Sequence, residues 1–317
     1  MNDVFLPIKA SQQLLRDVAF LQSCVPRIKL YLCYLRQHAT DLLNLPFYIL
    51  LLELLKGIVY WLLELDFEDY QDPIKCDGYP IKSRQKIMRE TRLVDLLIDC
   101  LIYPFETQMF NYDELSSSHA ITRICQLIYR ILKHTVKDNN QNKNYVAQWI
   151  DLFFKQAMVT TDKNTFFAEL TITELLTNNK QLLDTQIETS TIVSLIDLCL
   201  KQPKHERFLK MLSTLCQCDG QAIVSNQDGI YSTVLENEDN RKGMLCTIES
   251  VNGVHSVKIL DNQVVGQVQA PTLIKVSMEE MHQFFVEKKD MRLYNYFQSL
   301  IDLMASICME RNYKCIN

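Results

Sequence analysis

Apolar residues recur every three to four positions through most of the first 240 residues. This spacing places them on one face of a helix, and it predicts amphipathic helices joined by short or polar connections. Pro26 and Pro46 each stand where a proline is favoured in the first turn of a helix. The predicted helices are Ser11–Leu21, Pro26–Gln37, Pro46–Leu65, Ser83–Tyr103, Ala120–His134, Asn144–Met158, Thr189–Lys201 and Glu206–Cys216.

The pattern changes near Glu236. The charged segment Glu236–Lys242 is predicted to be a loop, and two alternating β-branched runs follow it on either side of Asn252-Gly253. Both residues of an Asn-Gly pair adopt positive φ readily, so the pair predicts a tight hairpin turn. Further strands are predicted at Val264–Val268 and Thr272–Val276, and helices at Glu279–Val286 and Met291–Glu310.

These elements predict an all-α fold, an armadillo-like α-solenoid with a small β-hairpin insertion near residues 243–276. We expect an armadillo-like helical domain at 1–240, the insertion at 241–277 and the start of the next helical repeats at 278–317. No repeat with a fixed period is present, so an irregular helix bundle remains an alternative. The apolar last helix predicts that the chain is cut inside a longer solenoid.

The composition agrees with a mostly helical protein. Hydrophobic residues make up 48% and charged residues 22%, and only 7 glycines and 8 prolines occur in 317 residues. A β-sandwich or a Rossmann fold needs more turn-forming residues than this. The net charge of −5 provides no basic field, so neither nucleic acid nor anionic lipid is an expected partner.

The 11 cysteines contain no C-x-x-C pair, and the 6 histidines lack the spacing of zinc ligands. We therefore expect reduced thiols that pack as small core residues in the cytosol, and no metal site. The most apolar stretch, Leu45–Leu65, carries Glu53, Lys56 and Glu64. A charge at the middle of a membrane costs about 2.5–3.5 kcal/mol, so an interior helix is predicted rather than a membrane span.

The sequence contains no glycine-rich phosphate loop, no G-x-S-x-G and no H-E-x-x-H motif. These are the patterns that place phosphate-binding amides, a nucleophilic serine or zinc ligands in an active site. The paired carboxylates Asp66/Glu68 and Glu279/Glu280 lie in hydrophilic stretches, where solvation is their ordinary role. We therefore expect no enzymatic activity and no cofactor.

One basic segment, Ile81–Glu90, stands out. In a helix, Lys82, Lys86 and Arg89 fall within about 60° of one another on one face, and Ser83 is placed to cap the helix. Cations near a helix N-terminus oppose the macrodipole and repel each other, and a bound anion such as a phosphate relieves both effects. The alternative is a solvated charged face, or an ion-pair partner for a neighbouring module.

The same segment contains Arg84–Glu90, R-Q-K-I-M-R-E, which resembles the R-Q-K-L-M-R-E segment of inositol 1,4,5-trisphosphate receptors. Leu215–Asp228 instead resembles a segment of ryanodine receptors, the sister family. The similar segments are collinear and cover nearly all of the chain. Further segments that resemble the inositol trisphosphate receptors are Leu15–Phe20, Ile124–His134, Glu174–Leu183 and Cys308–Asn317.

The resemblance implies the armadillo-like helical block, the RIH-type domain, that follows the β-trefoils in these calcium-release channels. It implies a cytosolic regulatory segment at the face of the endoplasmic reticulum or a related calcium store, in a homotetrameric parent. The implied partners are the trefoil and downstream solenoid of the same channel, together with inositol 1,4,5-trisphosphate.

The resemblance also implies a ligand site on the basic helix. In inositol trisphosphate receptors the ligand lies between the second trefoil and the helical block. Three family cations that contact it align with Lys82, Lys86 and Arg89. Positive charge is therefore kept at all three positions.

A second cluster of the family, Y-R-K, aligns with Asn139, Asn140 and Gln141, so an aromatic residue and two cations are replaced. Lys137 or Lys143 supplies one charge if the loop is aligned differently. Losing these contacts, at a low-end value of about 4 kcal/mol, weakens binding about a thousandfold. We expect this chain alone to bind inositol trisphosphate weakly or not at all. The parent either binds it through altered contacts or, like ryanodine receptors, does not bind it.

Two functional hypotheses follow. The first is a regulatory segment of a calcium-release channel, which relays movement caused by a ligand or partner towards the pore. The second is a free-standing armadillo-type protein-binding module without channel activity, which needs terminal helices with polar outer faces. Val4-Phe5-Leu6 and Leu300–Met309 are too apolar for such caps, which favours the first hypothesis.

Overall fold

The computed structural model describes residues 11–37, 46–66, 72–106, 110–112, 115, 119–159, 165–265, 268–288, 291–310 and 312–316. Val4-Phe5-Leu6 and Glu68 lie outside these residues. The chain forms two compact units. The first comprises Met1–Leu152 with Asn164–Phe167, and the second comprises Phe153–Lys163 with Ala168–Asn317.

The first unit is built around its fifth helix. Its helices are α1 Gln12–Gln37, α2 Pro46–Leu63, α3 Lys82–Glu90, α4 Leu93–Glu106, α5 Ala120–Val136 and α6 Asn140–Val146, followed by a 3-10 turn at Ala147–Trp149. Helix α5 packs against α2, α3, α4 and α6, and nearly its whole surface is buried. Burial of apolar surface stabilises a fold by about 25 cal/mol per Å². Because α5 buries most of its surface against four other helices, it is the central core helix of this unit.

Helix α1 is continuous, which corrects the prediction of two helices separated before Pro26. Leu21, Cys24, Ile28 and Leu35 are all fully buried, so one apolar stripe runs past the proline on both sides. Pro26 itself is exposed, so water can bond the carbonyl that loses its helical donor. Packing of the stripe therefore outweighs a proline cost of about 3 kcal/mol in an ordinary helix interior.

The predicted helix Ser83–Tyr103 is in fact two helices, α3 and α4. The break falls at Thr91 and Arg92, where Arg92 adopts a left-handed φ of 55°. A left-handed residue after the last helical turn is a common way to end a helix. The break lets α3 and α4 take separate directions, and both pack against α5.

The second unit is built around α11. Helix α7 Ile150–Val159 leads into it, and its further helices are α8 Ala168–Leu176, α9 Lys180–Thr185, α10 Thr189–Lys201, α11 Glu206–Leu215, α12 Val224–Tyr231, α13 Glu238–Met244, α14 Met281–Glu287, α15 Arg292–Ile307 and α16 Tyr313–Ile316. Its strands are β1 Gln217–Cys218, β2 Gln221–Ala222, β3 Thr247–Val251, β4 Val254–Val265 and β5 Val268–Ser277. Helix α11 packs against α8, α10 and α15, which makes it the core helix of this unit.

The hairpin turn at Asn252-Gly253 is confirmed. Both residues have positive φ, 52° and 80°, and Val251 pairs with Val254 across the turn. The strands predicted at Val264–Val268 and Thr272–Val276 are parts of a longer antiparallel pair, β4 and β5. The insertion is therefore a three-stranded sheet in the order β3-β4-β5; residues 266 and 267, within one predicted strand, lie outside the described part of the chain.

The predicted loop Glu236–Lys242 is largely helical, because it contains most of α13. The side chain of Asn237 caps this helix by accepting a hydrogen bond from the backbone N–H of Asn240 at 3.0 Å. The first turn is acidic and the last turn is basic, so the charges complement the helix dipole. Charge order, rather than apolar spacing, stabilises this short helix.

The prediction of an all-α, armadillo-like fold with a small β insertion is confirmed, with 70% of the structure helical. None of the helices in the described part of the chain has both the length and the apolar character needed to cross a bilayer. The two compact units divide near Leu152. The domain boundaries at 240 and 277 stay predictions.

Seven cysteines of the described residues are buried as free thiols, and Cys33 and Cys308 are exposed. Burial raises the pKa of the Cys24 thiol to about 11 and that of Cys199 to about 12. It also raises the pKa of Cys125. These thiols pack as small apolar core groups, as the sequence predicts.

A buried charge cluster attaches the β insertion to the helices of the second unit. Asp261 on β4 is fully buried, and its carboxylate accepts hydrogen bonds from Arg292 at 2.6 and 3.1 Å. It also accepts one from the backbone N–H of Lys204 at 2.9 Å. We call Lys204, Asp261 and Arg292 the insertion latch. Apolar packing of Val257 and Ile259 against Phe285 surrounds the attachment.

We expect Asp261→Asn to lower the free energy of unfolding by about 3–5 kcal/mol, because it leaves Arg292 without its buried counter-charge. Asp197→Asn is the control, since Asp197 forms an exposed ion pair with Lys201 at 2.9 Å that contributes at most about 0.5 kcal/mol. Urea unfolding followed by circular dichroism measures both. Equal losses in the two variants would contradict the role of the latch.

Candidate functional site

The three predicted cations lie on one side of α3. Lys82 and Lys86 are exposed and Arg89 is half-buried, whereas Ile87 and Met88 are buried on the other side. We call Lys82, Lys86 and Arg89 the α3 basic face. The spacing of these residues therefore correctly places them together.

The predicted capping role of Ser83 is wrong. Helix α3 begins at Lys82, and its capping position is Ile81, which makes no side-chain hydrogen bond to the helix. Ser83 is exposed and lies inside the first turn. The early start brings Lys82 into that turn, so two of its residues, Lys82 and Arg84, are cationic.

Arg84 is the cation of this segment that points inward. Its side chain is 6% exposed, and its Nε donates to Asp17 Oδ1 at 3.1 Å. Its Nη1 donates to the carbonyl of Trp61 at 2.5 Å, and its guanidinium lies over the Trp61 ring at 5.4 Å. Arg84 therefore ties α3 to α1 and α2 and fixes the rotation of α3 about its own axis.

Two buried amides tie α3 to the turn between α5 and α6. Gln85 Nε2 donates to the carbonyls of His134 and Lys137, each at 2.8 Å. Asn142 Nδ2 donates to the carbonyls of Gln85 and Thr135 at 2.9 and 2.8 Å. Both side chains are fully buried. Sequence reasoning missed them, because a paired amide carries no periodic or charge signal.

The members of the α3 basic face differ in their contacts. Lys82 donates to the backbone carbonyl of Asp138, and Arg89 Nη1 donates to Asn142 Oδ1 at 2.7 Å. Lys86 makes no hydrogen bond or ion pair with any described residue. Two cations therefore contact the start of α6, and Lys86 is exposed to solvent.

Asn139, Asn140 and Gln141, which align with the Y-R-K cluster of the resembling family, have different roles in the structure. Asn139 caps α6 through Asn142 N at 3.1 Å and donates to Gln85 at 3.0 Å, so it is structural. Asn140 and Gln141 are exposed in the first turn of α6. They present neutral amides next to the α3 basic face, where the resembling family has cations.

Lys137 and Lys143, which could replace one of the lost cations, do not extend the α3 basic face. Lys143 is 2% exposed. Lys137 donates to the carbonyl of Gly78 at 2.8 Å and lies over the ring of Tyr79 at 5.0 Å. Both are therefore committed to other contacts within this unit.

His134 lies on α5 and is fully buried. Burial, together with the charges of Arg130 and Lys133, lowers its pKa from 6.5 to about 3. Its Nε2 faces the carbonyl of Cys76 at 3.2 Å, so Nε2 carries the proton and Nδ1 is bare. The backbone carbonyl of His134 accepts a hydrogen bond from Gln85, so this residue contacts α3 through its main chain.

The described residues bring together no group of three His, Cys, Asp or Glu side chains that would hold a metal ion. The α3 basic face presents two exposed ammonium groups and one guanidinium, which is held by the amide of Asn142 and paired with the carboxylate of Glu90 at 3.0 Å.

Comparison with known proteins assigns this architecture to a family. Residues 52–247 match the family RYDR_ITPR, the RIH domain. This match covers more than half of the chain, so the chain belongs to the RIH domain family shared by ryanodine and inositol trisphosphate receptors.

Two curated relatives agree with this family. Inositol 1,4,5-trisphosphate receptor-like protein A of Dictyostelium discoideum is 24% identical over 248 residues, 78% of this chain and 7% of its own length. Inositol 1,4,5-trisphosphate receptor itr-1 of Caenorhabditis elegans is 25% identical over 259 residues, 78% of this chain and 8% of its own length. The chain thus spans less than a tenth of either relative.

We expect His134 to make the stability of the chain depend on pH. The folded pKa lies below the unfolded value of 6.5, so between about pH 3 and 6.5 the unfolded state binds more protons. His134 therefore contributes its full stabilisation above pH 6.5. As the pH is lowered below 6.5 this contribution is lost, and at pH 4.5 the free energy of unfolding is about 3 kcal/mol lower because of this group.

His134→Gln keeps a donor for the Cys76 carbonyl and removes the titration. Urea unfolding of both proteins from pH 7 to pH 4.5 should show a shallower decline in the variant, because all other groups titrate in both. Parallel declines would show that His134 does not titrate as described.

Proposed function

We propose that this chain is a regulatory segment of an intracellular calcium-release channel of the inositol trisphosphate and ryanodine receptor type. It acts without enzymatic activity on the cytosolic face of the endoplasmic reticulum or a related calcium store, within a homotetrameric parent. Membership of the RIH family and the names of the two relatives support this proposal.

The observation that carries the ligand part of the proposal is the α3 basic face. Lys86 is exposed and unpaired among the described residues, and Lys82 is exposed and bonded only to a carbonyl at the surface. An inositol phosphate anion gains charge-assisted hydrogen bonds from both, and relieves the repulsion among three cations on one helix. The trefoil of the parent supplies the opposite side of the site.

The neutral amides at Asn140 and Gln141 set the expected strength. They offer weaker contacts than cations do, since a hydrogen bond to a charged group contributes about 1.5–3 kcal/mol and a neutral one about 1 kcal/mol. We propose that the isolated chain binds inositol 1,4,5-trisphosphate weakly, and that the parent compensates with contacts from other domains.

The same contacts provide a route for gating movement within the first unit. An anion on Lys86 pulls on α3, and α3 is rigidly bonded to α5 through Gln85 and to α6 through Asn142. A tilt of α3 therefore moves the core helix α5, because hydrogen bonds join the two helices directly. We propose that this coupling passes ligand binding to the neighbouring domains of the channel.

Exposed apolar side chains on α1 and α2 fit contact with those domains. Leu15, Leu30, Ile49 and Leu50 are each between 54% and 64% exposed. Their burial against the trefoil or the downstream solenoid would gain free energy that the isolated chain does not have.

We expect Lys86→Ala to weaken inositol 1,4,5-trisphosphate binding by about tenfold to a hundredfold in a segment that includes the preceding trefoils, because one charge-assisted contact is lost. Isothermal titration calorimetry measures the affinity. Lys86→Arg should retain most of it. Lys201→Ala, at an exposed lysine of α10, is the control and should change nothing. Unchanged affinity in Lys86→Ala would remove Lys86 from the site.

The native mass separates the channel from a free-standing protein-binding module. An antibody against this segment should detect a polypeptide of several hundred kilodaltons in the membrane fraction, since the relatives are more than ten times as long as the matched segment. A soluble native band near 37.1 kDa would instead favour the free-standing module.

A further inference from the structure

Ser83 is the residue of the basic segment Ile81–Glu90 to which the proposed function gives no role. It is the second residue of α3, and its side chain is exposed. Its hydroxyl forms no hydrogen bond with any described residue. Ser83 therefore presents an unbonded hydroxyl at the surface, beside the α3 basic face.

The first turn of α3 around this hydroxyl lacks negative charge. It contains no acidic residue, and the capping position Ile81 makes no side-chain hydrogen bond to the helix. The backbone N–H groups of Lys82, Ser83 and Arg84 have no acceptor among the described residues. The positive end of the helix dipole is therefore left without an anion among the residues that the structure describes.

Two cations lie close enough to Ser83 to contact a phosphate attached to it. Lys82 precedes it, and Lys86 is three residues further along, which makes Lys86 its neighbour on the helix surface. At 100° per residue Ser83 and Lys86 lie about 60° apart around the helix, and helical side chains lean towards the N-terminus, so Lys86 leans towards Ser83. Both lysines are exposed, so a phosphate on Ser83 is within reach of both ammonium groups.

No carboxylate of the described residues neutralises these two lysines. Lys82 bonds to the backbone carbonyl of Asp138, and Lys86 has no partner among the described residues. The carboxylates in ion pairs with α3 bind its two arginines: Asp17 and Glu64 pair with Arg84, and Glu90 pairs with Arg89. An anion at position 83 therefore meets two ammonium groups that lack a counter-charge, and the one carboxylate of α3 is already paired.

We propose that Ser83 is a phosphorylation site and that its phosphate occupies the α3 basic face. The transferred group comes from ATP: a bond forms between Ser83 Oγ and the γ-phosphorus, the bond from that phosphorus to the β-phosphate oxygen breaks, and ADP leaves. The hydroxyl proton passes to the catalytic base of a serine kinase. Lys82 and Lys86 suit a kinase that selects serines by the basic residues around them, because both lysines stay exposed when α3 is folded.

A phosphate on Ser83 excludes the proposed ligand, and this consequence rests on the proposed function. Phosphoserine carries a charge of about −1.5 to −2 at pH 7, and at a helix N-terminus it forms charge-assisted hydrogen bonds with backbone N–H groups and nearby cations. It takes up the donors of Lys82 and Lys86 and repels a second anion. Phosphorylation of Ser83 therefore switches off inositol phosphate binding through local charge.

The first test needs no ligand. Phosphoserine is incorporated at position 83 of the full chain during synthesis, and the second pKa of the phosphate, about 6 in free phosphoserine, is measured by ³¹P NMR. Position 190 is the matched control. Ser190 is also an exposed second residue of a helix, α10, but its hydroxyl lies 3.2 Å from the Glu188 carboxylate.

We expect the phosphate to have a lower pKa at position 83 than at position 190, because cations stabilise its doubly charged form. Lys86→Ala should raise the pKa of the phosphate at 83 and leave that at 190 unchanged. Equal pKa values at the two positions would contradict the contact with the α3 basic face.

The second test asks whether a kinase reaches the site. The full chain is incubated with ATP and the catalytic domain of protein kinase C, which prefers serines flanked by basic residues, and mass spectrometry locates the phosphate. We expect phosphate on Ser83 and none on Ser190, and Ser83→Ala should remove it. A chain that gains no phosphate at Ser83 would overturn the modification site.

Calorimetry on a segment that includes the preceding trefoils tests the effect on the ligand. Phosphoserine at 83 should weaken inositol 1,4,5-trisphosphate binding by at least about tenfold, and phosphoserine at 190 should leave it unchanged. Equal affinity with and without phosphate at 83 would refute the regulation and leave the proposed function intact. An unmodified segment without affinity would instead contradict the proposed ligand, while the phosphate titration and the kinase reaction still decide the modification site.

Discussion

The pairing of buried polar groups on α3 is the constraint on which the candidate site depends. Arg84 and Gln85 are buried at adjacent positions, and each loses free energy unless its hydrogen bonds are satisfied. Asp17 and Trp61 satisfy the first, and carbonyls of the turn between α5 and α6 satisfy the second. Only one rotation of α3 meets both demands. That rotation decides which side chains of the helix face water, so the buried polar contacts determine the charged surface.

Much of the fold follows from local rules that a sequence displays. Apolar spacing correctly places α2, α5, α10 and α15, and the Asn252-Gly253 pair correctly places a turn. The errors arise where distant contacts outweigh local preference. Pro26 predicts a helix start, yet a buried stripe on both sides of it keeps α1 continuous. Helices α8 and α9 were missed because each is short, so neither displays enough turns for periodicity to be recognised.

The site was predictable to the extent that it rests on spacing. The positions of Lys82, Lys86 and Arg89 on one face follow from 100° per residue. Their partners do not follow, because Asp138 and Asn142 approach α3 only once the chain has folded. The burial of Lys143 and the structural role of Asn139 likewise depend on how α6 packs. Helical periodicity in the sequence identifies which residues share one face of α3. Tertiary packing decides which of those side chains stay exposed and which are bonded to neighbouring helices.

The buried thiols have a consequence for the chemistry of the whole chain. A thiolate is the reactive form, and burial holds Cys24 and Cys199 in the protonated form far above neutral pH. Oxidants and alkylating reagents reach such groups only when the surrounding helices separate. The rate at which core cysteines react therefore reports how often the structure opens, whereas Cys33 and Cys308 report ordinary surface reactivity. Comparing the reaction rates of the buried and the exposed cysteines thus distinguishes transient opening of the core from ordinary reactivity at the surface.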